Sequence, residues 1–420
     1  MTAISHERAS VYRKTVLDNG IRVVSETIPH LRSVSIGVWA NVGSRDEDVR
    51  ENGISHFLEH MVFKGTRRRN GRQIAQSLES LGGYLNAFTS KEQTCFYARV
   101  LDADVAEAVD VLSDLVLHAT FKRTEVDKER LVVIEELKNA EDDPEDIIHD
   151  YFEKALFPHH SLGYPIIGTE ENLRRFRRGD LVSHVGRHYH PSRIVIAAAG
   201  SIRHAPLVKL VERYFGKLNS GDPIQERRPG PVRGVRRSLQ VYRRPIKQAH
   251  TTLGTLAYSI HHRDRYPLLV LNALLGEGMS SRLYQTIREQ FGFAYSVYSF
   301  VNLLSDTGFF GVYIGTDQKN IEKAIGLVHK ELRNLKTHPV PAAELKRTKS
   351  QIKGTMMLGL ENMSSRMMRL GSGELYFKEC VSLDSVLRKV DAVTSEALQR
   401  VANDLFDERR FSTVVIRPTR

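Results

Sequence analysis

The sequence predicts an α+β chain built from two similar domains, each an antiparallel-rich mixed sheet covered by helices. Three observations carry that prediction. The chain has 420 residues, more than one ordinary core organises and a comfortable length for two. Stretches that alternate apolar and polar residues with period 2 are interleaved with stretches of helical period. The order of these stretches in the first half recurs in the second.

Taken in order, GIRVVSETI and SVSIGVWANVG are rich in β-branched and aromatic residues and predict strands. ENGISHFLEHMVF predicts a helix, and GRQIAQSLESLGG a second one ending at a glycine pair suited to a C-terminal cap. YLNAFTSKEQTCFYARVL predicts two strands turning around Ser90 and Lys91. ADVAEAVDVLSDLVLHA and DKERLVVIEELKNAEDD are amphipathic helices, and RIVIAAAGSI is a buried strand. The stretch NSGDPIQERRPGPVRGVRRS is rich in Pro, Gly and Arg and poor in apolar residues, which predicts a linker over 219–238. The domains are therefore expected over 1–218 and 239–420. The second half runs through HTTLGTLAYSI, YPLLVLNALLGEG, SRLYQTIREQFG, FAYSVYSFV, TGFFGVYIGTD and NIEKAIGLVHKELRNL, a similar succession of strands and helices. In that alignment HFLEH falls opposite LLVLNALLG, which offers no metal ligand.

Composition excludes several classes. An apolar fraction of 41% with 26% charged residues is that of an ordinary globular protein. No stretch approaches the roughly 18 apolar residues of a membrane span. The net charge of +11 raises nucleic acid as a partner, but the Arg67–Arg69 and Arg174–Arg178 clusters accompany no nucleic-acid motif, so a solvated basic surface is expected instead. The N-terminus lacks an apolar signal core, and the two cysteines, Cys95 and Cys380, are far apart. A reducing cytoplasm is the expected compartment.

The chemistry concentrates in HFLEH. On a helix each residue advances about 100°, so Glu59 lies near −60° and His60 near +40° from His56, and all three project from one face. Two imidazoles at i and i+4 can meet one ion, and the glutamate between them can reach a water on that ion. The apolar flanks Ile54, Phe57, Leu58, Met61 and Val62 predict a largely buried helix, where charged groups need partners. A third ligand is required. Glu129 and Glu136 are seven residues apart and share a helix face, so spacing leaves both open.

HFLEH is the inverted zinc motif H-x-x-E-H, and the wider sequence resembles the pitrilysin family of zinc metallopeptidases. The resemblance rests also on GVWANVGSRDE, the KGT after the motif, LGGYLNAFTSKEQT, ERLVVIEELK, RIVIAAAGSI and GEGMSSRLYQTIREQFGFAYSVYS. It is nearest to short bacterial members similar to the catalytic subunit of the mitochondrial processing peptidase. It implies an endopeptidase that cuts unfolded or short peptides in a closed chamber. One Zn2+ per chain is implied, held by His56, His60 and Glu136, with Glu59 as general base and Glu129 supporting the ligands. Co2+ or Mn2+ would also suit these donors. The resemblance further implies that Arg288 and Tyr295 approach the substrate, and that Asn86, Ala87, Phe88 and Thr89 form an edge strand on which the peptide pairs. The chain would be half of a clamshell. A homodimer is then expected, with Arg288 and Tyr295 serving the partner chain's zinc. The rival reading, a non-catalytic subunit of the same fold, fits poorly with a complete set of motif residues.

Other features are expected to be structural. EDDPED over 141–146 reads as a solvated helix end, His159 and His160 as loop residues, and Trp39 as core.

Overall fold

The computed structural model describes residues 11–219 and 237–419. The expected linker over 219–238 lies, except for its ends, outside them. The described residues form two compact units, one from 11–137, 165–219 and 358–381, the other from 138–164, 237–357 and 382–419.

The first unit holds a six-stranded sheet of β1 (Val11–Val16), β2 (Arg22–Thr27), β3 (Ser33–Ala40), β4 (Tyr84–Thr89), β5 (Thr94–Leu101) and β6 (Ile194–Gly200), in the order β1-β2-β6-β3-β5-β4. Only β2 and β6 pair in parallel. The second unit holds β7 (Ser238–Arg244), β8 (Ala249–Ala257), β9 (Ala294–Leu303), β10 (Gly308–Thr316) and β11 (Ser412–Pro418), ordered β7-β11-β8-β10-β9. Here only β7 and β11 are parallel. Leaving β1 aside, the sheets share one strand order and one pairing pattern. The duplication expected from element order is present strand for strand.

Each sheet buries both faces. In the first unit the motif helix, Ile54–Val62, sets Phe57, Leu58 and Met61 into a core with Ile36, Val38 and Phe96. The opposite face, with Val24, Trp39 and Val195, is covered by Met367 and Leu370 of a helix over Met363–Phe377. That helix comes so close at Gly371 that an added Cβ would sit 2.2 Å from the Trp39 ring. Trp39 is core, as expected. In the second unit a helix over Pro144–Leu156 lays Ile148 and Phe152 on Phe309, Val414 and Ile416. Each half of the chain thus lends one helix to the other half's sheet. The expected boundary at 219–238 separates the two sheets in sequence but not the two compact units, because an amphipathic helix covers whichever bare sheet face it reaches.

Candidate metal centre

The motif helix is anchored at its N-terminus. Gly53 has φ of +98°, a left-handed conformation that favours glycine, and an added Cβ there would lie 2.7 Å from Gly168 Cα. The Glu47 carboxylate, 4% exposed, accepts from Ser55 N at 2.8 Å, Gly53 N at 2.8 Å and Asn52 Nδ2 at 3.2 Å. It caps amides that the helix itself cannot satisfy. Burial pushes its carboxyl up to about 7, against the pull of those hydrogen bonds.

From this anchor Ile54, Phe57, Leu58, Met61 and Val62 face the core, and His56, Glu59 and His60 remain on the open face. The imidazole centroids of His56 and His60 are 4.8 Å apart. The helix over Arg123–Asp142 supplies both candidate glutamates, and the structure separates them. Glu129 is buried and bonds His60 Nδ1 at 2.9 Å through Oε1. Glu136 reaches the other side of both rings: Oε2 lies 3.3 Å from His60 Nε2, and Oε1 lies 3.6 Å from His56 Nε2. One donor atom from each of His56, His60 and Glu136 lies within 4.8 Å of the others. Among the described residues no other group of three such side chains does so.

These donors fit a zinc ion. Two neutral imidazoles and one carboxylate are a catalytic zinc set that leaves a position open. With Nδ1–H given to Glu129, the His60 tautomer presents Nε2 to the gap, the orientation a carboxylate imposes on a ligating histidine. The surroundings act oppositely on the two imidazoles of the metal-free protein. Burial and the neighbouring His60 hold His56 below its ordinary value. Burial also opposes charge on His60, but its bonds to Glu129 and Glu136 outweigh that and lift it to about 9. Burial raises the Glu59 carboxyl, while a hydrogen bond from Thr89 and the charge of His60 pull it back.

Strand β4, which carries Asn86, Ala87, Phe88 and Thr89, is an edge of its sheet, with β5 its only strand neighbour among the described residues. Asn86 Oδ1 accepts from Ala87 N at 2.8 Å, and Thr89 Oγ1 donates to Glu59 Oε2 at 2.6 Å. Arg288 and Tyr295 belong to the second unit. There Arg288 sits on a π-helix, Tyr284–Gln290, with its guanidinium 4.8 Å from the Tyr284 ring and 4.9 Å from the Tyr295 ring. It donates to Tyr295 O at 3.0 Å, and Tyr295 is 76% exposed.

Comparison with known proteins decides the family. The model described as Insulinase (Peptidase family M16) matches residues 22–170, and that described as the peptidase M16 inactive domain matches residues 175–352. The chain belongs to the insulinase family. This insulinase-family chain is 41% identical over 401 residues to "Uncharacterized zinc protease YmxG" of Bacillus subtilis, covering 94% of this chain and 96% of that protein. It is 34% identical over 418 residues to the mitochondrial-processing peptidase subunit beta of Blastocladiella emersonii, covering 96% and 88%. The fold matches a protease from Helicobacter pylori with a TM-score of 0.89 at 23% identity, over 97% of this chain and 100% of that one. Membership makes this insulinase-family chain a metallopeptidase whose substrates are peptides.

Three partners of the motif are not legible from the sequence alone. Glu47 lies in the quoted GSRDE, but nothing in the residues announces that it caps the motif helix. Lys64, in KGT, pairs with Glu129 Oε2 at 2.6 Å, and an i, i+4 step from His60 was the available signal. Thr89, expected in a peptide-binding strand, is also a partner of Glu59. His160 Nδ1 accepts from Leu162 N in a short turn, which fits the structural role expected for it.

Proposed function

We propose that the chain is a zinc-dependent endopeptidase for unfolded or short peptides, with His56, His60 and Glu136 holding one zinc per chain and Glu59 as general base. The observation that carries this reading is the convergence of those three donors with Glu59 one helix step from His60. The names of its relatives support zinc as the ion. When bound, zinc would acidify a water and polarise the scissile carbonyl.

The chain's own residues would do the rest. Glu129 holds His60 in the ligating tautomer, and Lys64 balances the Glu129 charge. The edge of β4 at Asn86–Thr89 offers backbone groups to an extended peptide, a mode that accepts many sequences. Glu59, held above the ordinary carboxylate value by burial, takes a proton from the attacking water and returns it to the leaving amine. The motif resemblance extends the proposal to a homodimer enclosing a chamber, where Arg288 and Tyr295 act on the partner chain's substrate, and to a bacterial cytoplasm. Among the described residues no helix is long and apolar enough to cross a membrane.

The test is cleavage of a quenched, unstructured basic peptide by the parent and by Glu59→Gln, with metal content measured on the same samples. The expected result is one metal per chain in both and cleavage by the parent alone. Metal in both without cleavage by the parent would favour a metal-stabilised subunit.

A further inference from the structure

We infer that Thr89 is a positioning residue for the general base: its hydroxyl fixes the Glu59 carboxylate so that one oxygen, Oε1, exchanges the catalytic proton. The inference rests on the proposed role of Glu59 and assigns Thr89 a different task from the peptide contact expected of its strand.

The geometry begins with the short hydrogen bond, 2.6 Å from Thr89 Oγ1 to Glu59 Oε2. A threonine hydroxyl has one proton to give, so this bond commits it. Thr89 is β-branched, and its side chain has few rotamers. Its backbone is fixed as well. It is the last residue of β4, paired in register with Thr94 of β5. The turn that follows is tied down instead of solvated. Ser90 O accepts from Ser44 N at 3.2 Å, and Lys91 O accepts from Arg45 N at 2.8 Å. Glu92, 1% exposed, pairs with Arg45 at 2.6 Å. An added Cβ on Gly43 would lie 2.2 Å from Ser90 O, so the two loops touch backbone to backbone. A donor held this rigidly is pre-organised.

The consequence for the reaction is directional. With Oε2 occupied by the Thr89 proton, the proton released as water attacks the carbonyl carbon goes to Oε1. The new carbon–oxygen bond forms, the carbon–nitrogen bond breaks, and the Oε1 proton passes to the amine nitrogen. Glu59 ends as it began. Without the hydroxyl the carboxylate can rotate about its last side-chain bond, and Oε1 is in place for only part of the time.

The test compares Thr89→Val and Thr89→Ser with the parent and with Glu59→Gln. Four quantities are read: kcat, KM, metal per chain, and binding of the same labelled peptide to the metal-free proteins by fluorescence anisotropy. For Thr89→Val the expected result is a kcat lower by about tenfold to a hundredfold, with KM, metal content and peptide binding unchanged within about twofold. Thr89→Ser keeps the hydroxyl and should recover most of kcat. The inference is overturned if Thr89→Val raises KM and weakens peptide binding while kcat stands, which is the signature of a substrate contact. It is overturned equally if kcat does not change, or if serine fails to restore it. In those cases an inactive Glu59→Gln leaves the role of Glu59 standing, whereas an active Glu59→Gln removes that role and this inference together.

Discussion

The motif helix Ile54–Val62 and the helix Arg265–Gly276 occupy one place in two copies of a sheet plan. Each follows the central strand, β3 or β8. The second is buried almost all round, from Tyr266 through Gly276. It closes on β9 until an added Cβ at Gly276 would lie 2.2 Å from Ser299 N. Among the described residues its buried amide, Asn272, donates Nδ2 to Glu277 at 2.6 Å, while its Oδ1 is buried without a hydrogen-bond partner. The first keeps an open polar face next to β4, and there His56 Nδ1 is buried without a hydrogen-bond partner among the described residues. Identical scaffolding therefore yields a packed element in one copy and a candidate catalytic element in the other. The difference is three side chains and the partners that hold them, not the fold.

That comparison can be broken by making the first helix more like the second. His56→Leu should abolish metal binding and peptidase activity. The metal-free protein should nevertheless gain roughly 1–2 kcal/mol of stability, because an unsatisfied buried polar atom is removed. A loss of stability in chemical denaturation of the metal-free form would show that His56 is a structural residue as well. Next in size is the anchor. Glu47→Ala leaves Gly53 N and Ser55 N uncapped and should cost roughly 3 kcal/mol in denaturation. Metal affinity should fall with it, since both histidines ride on that helix. An unchanged metal affinity would place Glu47 outside the site.

Metal binding should also depend on pH. In the metal-free protein His60 is raised to about 9, so near neutral pH it carries a proton that an ion must displace. Below that pKa the affinity for zinc should rise by about tenfold per pH unit. Above it the dependence should flatten. Calorimetry in buffers of different ionisation enthalpy should detect close to one proton released per ion at pH 7, and zero would show that His60 is already neutral in the metal-free protein. The smallest effect is expected at Lys64→Met. It removes the cation that balances Glu129 and should weaken metal binding by about tenfold, with little change in stability.

The sequence carried the motif, both sheets and the duplication, because alternation and helical period are local signals. It could not choose between Glu129 and Glu136. Two glutamates two turns apart share a face, and only the tilt of the helices decides that one meets Nδ1 of His60 and the other its Nε2. Glu47 was out of reach for the same reason, since its role depends on a loop returning to the start of the motif helix. The turn at Ser90 and Lys91 was legible as a turn but not as a buried one, which depends on the pairing of Glu92 with Arg45. The exchange of the helices over Pro144–Leu156 and Met363–Phe377 left no local trace, as each has an ordinary amphipathic pattern.

That exchange has a consequence for biogenesis. The sheet that carries the motif helix on one face is closed on the other by residues from Met363 onward. During synthesis the ribosome must pass Phe377 before Val24, Trp39 and Val195 are covered. Until then the emerging first half carries a bare apolar sheet face, a natural substrate for chaperones. A gene split at the linker would give two fragments that each lack a cover. They should be insoluble when made singly and recover only when made together.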